Sequence, residues 1–127
     1  MTGLSHARPV TFILTRNRPA SEAFYTRVLG LSPPIDDGFA AVFDLGGAIL
    51  RITHIPDHTA GAHPVLGWMV DDIEATIRTL TAAGVAMTIY DGIGQDALGI
   101  WTAPDGRARV AFFPDPDGNM LSLTEAG

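Results

Sequence analysis

The sequence predicts an α+β fold in which two copies of one strand, helix, strands unit follow each other within a single domain spanning residues 1–127. Three features point to it. An apolar, β-branched run gives way to a helical pattern and then to further strand-like runs, and the same order returns in the second half. The segment Gly118-Asn119-Met120-Leu121-Ser122-Leu123-Thr124 matches Gly47-Ala48-Ile49-Leu50-Arg51-Ile52-Thr53 in its placing of Gly, the two apolar residues and Thr, which marks an internal repeat. With 46 % hydrophobic and 17 % charged residues, the composition favours a packed core over disorder.

The first module covers about residues 8–56. "PVTFILT", residues 9–15, reads as a strand, and Arg16-Asn17-Arg18-Pro19 opens a helix because Pro suits the first turn. Ala20, Phe24 and Val28, flanked by Tyr25 and Leu29, form its predicted apolar stripe, and Gly30 supplies a left-handed stop. "GFAAVFDL" and "AILRITHI" follow as two strands hinged on Gly46-Gly47, a dipeptide that two-residue hairpins favour. "DHTAGAHP", residues 57–64, is the linker.

The second module covers about residues 64–125. "VLGWMV", residues 65–70, is its first strand, and Asp71-Asp72 is an acidic helix start that the helix dipole favours. Ile73, Ile77 and Leu80 make the stripe and Gly84 ends the helix. From Gly84 to Gly118 is twice the distance from Gly30 to Gly47, and the surplus falls at residues 91–107, where an added strand or lid is expected. Ala103-Pro104-Asp105-Gly106 and Asp115-Pro116-Asp117-Gly118 are turn sequences on their own account.

A formal charge of −6 repels phosphate backbones and anionic lipid, so nucleic acid and membrane surfaces are not expected partners. There is no cysteine, which removes thiolate metal sites and thiol nucleophiles. The opening residues lack a signal-peptide pattern and no apolar run approaches the ~20 residues of a membrane span, so a cytoplasmic protein is expected. No Gly-rich phosphate loop, nucleophile elbow or dinucleotide fingerprint is present.

"AFYTRVLGL", "VLGWMVDDIEATIRTLTAAGV" and "FFPDPDGNMLSLTE" together resemble the vicinal oxygen chelate superfamily, which includes glyoxalase I, bleomycin resistance proteins and extradiol dioxygenases. The resemblance covers nearly the whole chain. It implies paired βαβββ modules whose strands curl into a cup, commonly completed across a homodimer. In the metal enzymes of that superfamily, four side chains from the first and last strands of the two modules hold a divalent metal, usually through His and Glu. Those four places fall here on Val10 (or Pro9, if "TRNRPA" holds one extra residue), Arg51, Val65 and Ser122. Aliphatic groups do not ligate, a guanidinium repels a cation, and a serine hydroxyl is a poor ligand at neutral pH.

Strand alternation places Ile49, Arg51 and Thr53 on the cup face and Leu50 and Ile52 on the core face, with Ser122 opposite Leu121 and Leu123 in the same way. Arg51 either pairs with a protein carboxylate or receives an anionic or carbonyl-bearing molecule. Trp101, in the surplus segment, either closes over a ligand or packs on the sheet edge; Trp68 packs under a helix. Glu125 lies on the Leu121 and Leu123 face.

His54-x-x-x-His58 with His63 nearby offers a rival metal set, opposed by Pro56, which disfavours a helix there. Asp115 and Asp117 read as turn residues rather than as an acid–base pair. The expected function is metal-independent binding of a small organic molecule, with no cofactor and with Arg51, Ser122, Thr53, Trp101, Val10 and Val65 as contacts, in a homodimer. The alternatives are a metal-dependent lyase, isomerase or dioxygenase with displaced ligands, and a dimerisation domain without a ligand.

Overall fold

The computed structural model describes residues 2–127 and divides into two compact units, one ending at His58 and the other spanning Thr59–Gly127. Each unit is one four-stranded sheet with one helix, so the chain is α+β with two tandem modules.

In the first unit, β1 (Val10–Thr15) leads into α1 (Arg18–Ala23), and β2 (Ile35–Asp36), β3 (Ala40–Asp44) and β4 (Ile49–His54) complete the sheet. The strand order is β1-β4-β3-β2, with β1 parallel to β4 and the other pairs antiparallel. Asn17 caps α1, its side chain accepting from Ala20 N at 3.2 Å, and Pro19 occupies the first turn as the sequence predicts. Beyond Ala23 the helix widens into a π-helical turn, Phe24–Val28, where Leu29 N donates to Phe24 O. Gly30 then stops it at φ +76.

Burial corrects the predicted stripe. Ala20 is exposed and Phe24 and Val28 are half-buried, while Ser21 and Tyr25 are fully buried. The inward line runs through Ser21 and Tyr25, one residue past the predicted one and already offset before the π turn, and the Tyr25 ring lies 6.1 Å from that of Phe43. Ile13, Phe43, Leu50 and Ile52 fill the rest of this core. Gly46 and Gly47 form the β3–β4 turn, closed by Leu45 N donating to Ala48 O at 2.9 Å.

The second unit repeats the plan with β5 (Pro64–Met69), α2 (Ile73–Ala82), β6 (Trp101–Thr102), β7 (Ala108–Pro114) and β8 (Met120–Ala126), ordered β5-β8-β7-β6. Asp72 caps α2 by accepting from Ala75 N at 3.0 Å, and Ile73, Ile77 and Leu80 are buried as the sequence predicts. They share a core with Ile100, Phe113, Leu121 and Leu123. Gly84 leaves the helix at φ +96.

Residues 91–107 hold one short strand, β6, but it adds none over the first unit. The two-residue β6 is the counterpart of β2, so both units have four strands and the extra length is loop. Gln95 holds that loop together: its Oε1 accepts from Tyr90 N at 2.6 Å, and its Nε2 donates to Thr88 O and Gly99 O at 3.0 and 2.7 Å. Gly106 N donates to Ala103 O at 2.8 Å, closing the predicted turn.

Candidate functional site

Each sheet buries one face under its own unit's helix and leaves the other open. On β4, Leu50 and Ile52 are fully buried, whereas Ile49, Arg51 and Thr53 are only half-buried. Because residues paired across a ladder share a face, Arg51 sits in a row with Phe12 on β1, Val42 on β3 and Ile35 on β2. Phe12 is 62 % exposed and Ile35 74 %. The row is therefore a guanidinium set into an accessible apolar surface. Thr53 is next along the same face, paired with Leu14 and Ala40; Val10, paired with Ile49, is on it at the other end. Pro9 precedes the strand, its carbonyl accepting from Ile49 N at 2.8 Å.

Arg51 is anchored. Its Nη2 lies 2.7 Å from Asp37 Oδ2, while Asp37 Oδ1 accepts from Phe39 N and Ala40 N, both at 2.9 Å. Those backbone donors, Phe39 first, and then the Arg51 guanidinium hold the Asp37 carboxyl down from 3.8 to about 2. The carboxylate is thus fixed by the turn between β2 and β3, and it fixes one prong of the guanidinium in turn.

In the second unit, Ser122 occupies the place equivalent to Arg51 and lies in a row with Gly67 and Phe112. A Cβ on Gly67 would collide with Ser122 Oγ, so the hydroxyl leans over a backbone that only glycine leaves open. One step along the same face runs Met69, Thr124, Val110 and Trp101, which brings Trp101 onto the Ser122 face from the edge strand β6. Val65 stands apart from these rows, at a β-bulge between Pro64 and Leu66.

Sequence reasoning missed Phe12, Asp37 and Phe112 as parts of these faces. Phe12 and Phe112 share strand parity with Val10 and Ser122's partner row, a signal that was present. Tyr90 stands edge-on to Phe112 with ring centroids 5.3 Å apart, extending the aromatic surface from the loop. Nothing local announces the Asp37 pairing.

The rival donors are placed elsewhere. His54 is exposed at the end of β4, His58 lies in a turn closed by its own N–H donating to Ile55 O, and His63 is exposed ahead of β5. Glu125 Oε1 accepts from Ile73 N at 2.9 Å, and Oε2 lies 3.4 Å from Arg109 Nη1, so the carboxylate serves the start of α2. Asp115 Oδ1 accepts from Asp117 N and Asn119 N, each at 2.9 Å, which is turn chemistry. Among the described residues no group of three or more His, Asp and Glu side chains is disposed to hold a metal ion. The side chains at the four places that the resemblance implies, two aliphatic groups, a cation and a hydroxyl, do not fit a divalent metal. No helix is long and apolar enough to cross a membrane among the described residues.

Comparison with known proteins gives one family. A model described as "Glyoxalase/Bleomycin resistance protein/Dioxygenase superfamily" matches residues 3–123. A Vibrio cholerae protein named "Probable lactoylglutathione lyase" is 30 % identical over 118 residues, covering 80 % of this chain and 78 % of its own. Two solved structures share the fold. One is a lactoylglutathione lyase from Agrobacterium tumefaciens (TM-score 0.70, 21 % identity, 94 % of this chain and 92 % of that one). The other is an antibiotic binding protein from a Streptomyces species (TM-score 0.70, 20 % identity, 100 % of both chains).

Proposed function

Since the chain belongs to the Glyoxalase/Bleomycin resistance protein/Dioxygenase superfamily, we propose that it binds a small organic molecule without a metal, using the open faces of its sheets. On the first face Arg51 and Thr53 supply polar contacts and Val10 an apolar one. On the second, Ser122 is the polar contact and Trp101 an apolar one, and Val65, at the β5 bulge outside those rows, is a further apolar contact. The observation that carries this reading is the anchored guanidinium in the row Phe12, Arg51, Val42, Ile35. Asp37 engages one prong of the fork and offsets its charge, so the remaining N–H groups suit a carbonyl, phenol or ether oxygen on an apolar body rather than requiring a full anion. A structural relative named as an antibiotic binding protein supports a small organic ligand.

The test is a thermal-shift screen of small organic molecules, followed by calorimetry on Arg51→Ala. A ligand that binds only the folded state raises the melting temperature by mass action. Loss of one charge-assisted hydrogen bond weakens it by about tenfold or more. A hit that binds Arg51→Ala as tightly as the parent removes Arg51 from the site, and a screen without hits favours a domain whose faces serve assembly alone.

The name of the Vibrio cholerae relative favours a second reading, a metal-dependent lyase, with isomerase and dioxygenase as the superfamily's other reactions. It requires donors beyond the four superfamily places. One equivalent of divalent metal per chain in the purified protein, by elemental analysis, decides for it. We further propose a cytoplasmic homodimer; sedimentation equilibrium giving a single-chain mass at micromolar concentration refutes the dimer.

A further inference from the structure

We infer that Asp91-Gly92 is a modification site, at which the chain rearranges spontaneously from aspartate to isoaspartate and unfastens the loop that Gln95 holds. In an Asp-Gly pair the side-chain carboxyl and the next backbone nitrogen meet readily to close a five-membered ring, because glycine puts no Cβ in the way. The sequence has four such pairs, Asp37-Gly38, Asp91-Gly92, Asp105-Gly106 and Asp117-Gly118. Ring closure needs the glycine nitrogen released from any acceptor and the carboxyl free to turn towards it.

Three of the four pairs fail that requirement. Gly38 N donates to Asp36 Oδ1 at 2.7 Å, Gly106 N to Ala103 O at 2.8 Å and Gly118 N to Asp115 O at 2.9 Å. Their carboxyls are constrained as well. Asp37 is held by Phe39 N, Ala40 N and Arg51, Asp105 accepts from Arg107 N at 3.0 Å, and Asp117 is buried. Asp91 and Gly92 are both exposed, and among the described residues neither the Gly92 N–H nor the Asp91 carboxyl has a hydrogen-bond or ion-pair partner.

The reaction balances with water alone. Gly92 N bonds to Asp91 Cγ, its proton and the carboxyl hydroxyl leave together as water, and a cyclic imide forms. Water then adds at one of the two imide carbonyls. Addition at Cγ breaks the new bond and restores aspartate, whereas addition at the Asp91 main-chain carbonyl breaks the original peptide bond and leaves Gly92 N joined through Cγ. The product carries one more methylene in its backbone and the freed carboxylate as a branch on Cα. That added carbon falls beside Tyr90, whose N–H donates to Gln95 Oε1 at 2.6 Å and whose ring stands edge-on to Phe112. The loop from Tyr90 to Gln95 must then close over a longer chain, and the contact between them is lost.

The experiment holds the full chain folded at neutral pH, below its melting temperature, beside a second sample unfolded in guanidinium chloride. Both are sampled over time with endoproteinase Asp-N, which cuts ahead of aspartate and not of isoaspartate. In the unfolded sample every glycine nitrogen is released, so all four sites become resistant. In the folded sample the Tyr90–Asp91 bond becomes resistant at least about fivefold faster than the other three, which must first break a hydrogen bond. In the NMR spectrum of the aged folded protein, a second set of peaks appears in which the Tyr90 amide exchanges about tenfold faster. Resistance that arises first at Asp37, Asp105 or Asp117 in the folded chain, none at Asp91 there, or unchanged Tyr90 exchange in the modified form each overturn the inference.

Discussion

Arg51 depends on an acid whose own charge is set mainly by backbone, and this ordering can be tested. The N–H groups of Phe39 and Ala40 hold the Asp37 carboxyl low more than the guanidinium does. Arg51→Met should therefore raise it only part of the way from about 2 towards 3.8, as followed by carboxyl-carbon NMR; full return to the ordinary value contradicts the order of causes. A carboxyl lowered in the folded state stabilises the fold above its unfolded value and loses that contribution as pH falls through the folded one. Its share should thus fade between about pH 4 and about pH 2, a window in which Asp37→Asn shows the shallower decline in unfolding free energy. Ser21 offers the opposite case: its Oγ is buried with no hydrogen-bond partner among the described residues. Ser21→Ala removes that unpaired hydroxyl and favours the helix, and should stabilise by about 1 kcal/mol, read as a rise of roughly 3 °C in the melting temperature. Which face Arg51 and Ser122 occupy was legible, because strand parity alone decides it. The Asp37 partner was not, because it comes from a turn tip on which no periodicity acts.

Among the elements, α2 matches its predicted stripe and α1 is offset from its own by one residue. In α2 the spacing of Ile73, Ile77 and Leu80 runs undisturbed from the Asp72 cap to Gly84, so periodicity and burial agree. In α1 the buried line runs through Ser21 and Tyr25, and a search for apolar spacing passes over a serine. β2 and β6 are two residues each, too short to show alternation, and the bulge at Val65 is invisible until Pro64 and Leu66 are seen paired to Met120 and Leu121. The α2 cap makes a direct prediction: Asp72→Ala should cost about 1 kcal/mol by thermal or urea unfolding. The contact between β5 and β8 makes another. Gly67→Ala forces Ser122 Oγ to turn away, so it should destabilise by about 1 kcal/mol. Ser122→Ala in the same background should recover part of that loss, and additivity in the double-mutant cycle refutes the contact.

For the molecule as a whole, placing all the net charge in residues after Thr59 makes that part self-repelling. Raising ionic strength from ~10 mM to ~0.2 M should increase hydrogen-exchange protection in β7 and β8 more than in β3 and β4, since screening relieves repulsion only where like charges accumulate. The ladder between β1 and β4 has a different reach, into how the chain is made. Val10–Thr15 finds its partner in Ile49–His54 across almost all of the intervening first unit. At about 5–20 residues per second of synthesis, an apolar ribbon waits on the order of seconds, unpaired and sticky, before its mate emerges. During that interval it is a natural client for a ribosome-bound chaperone.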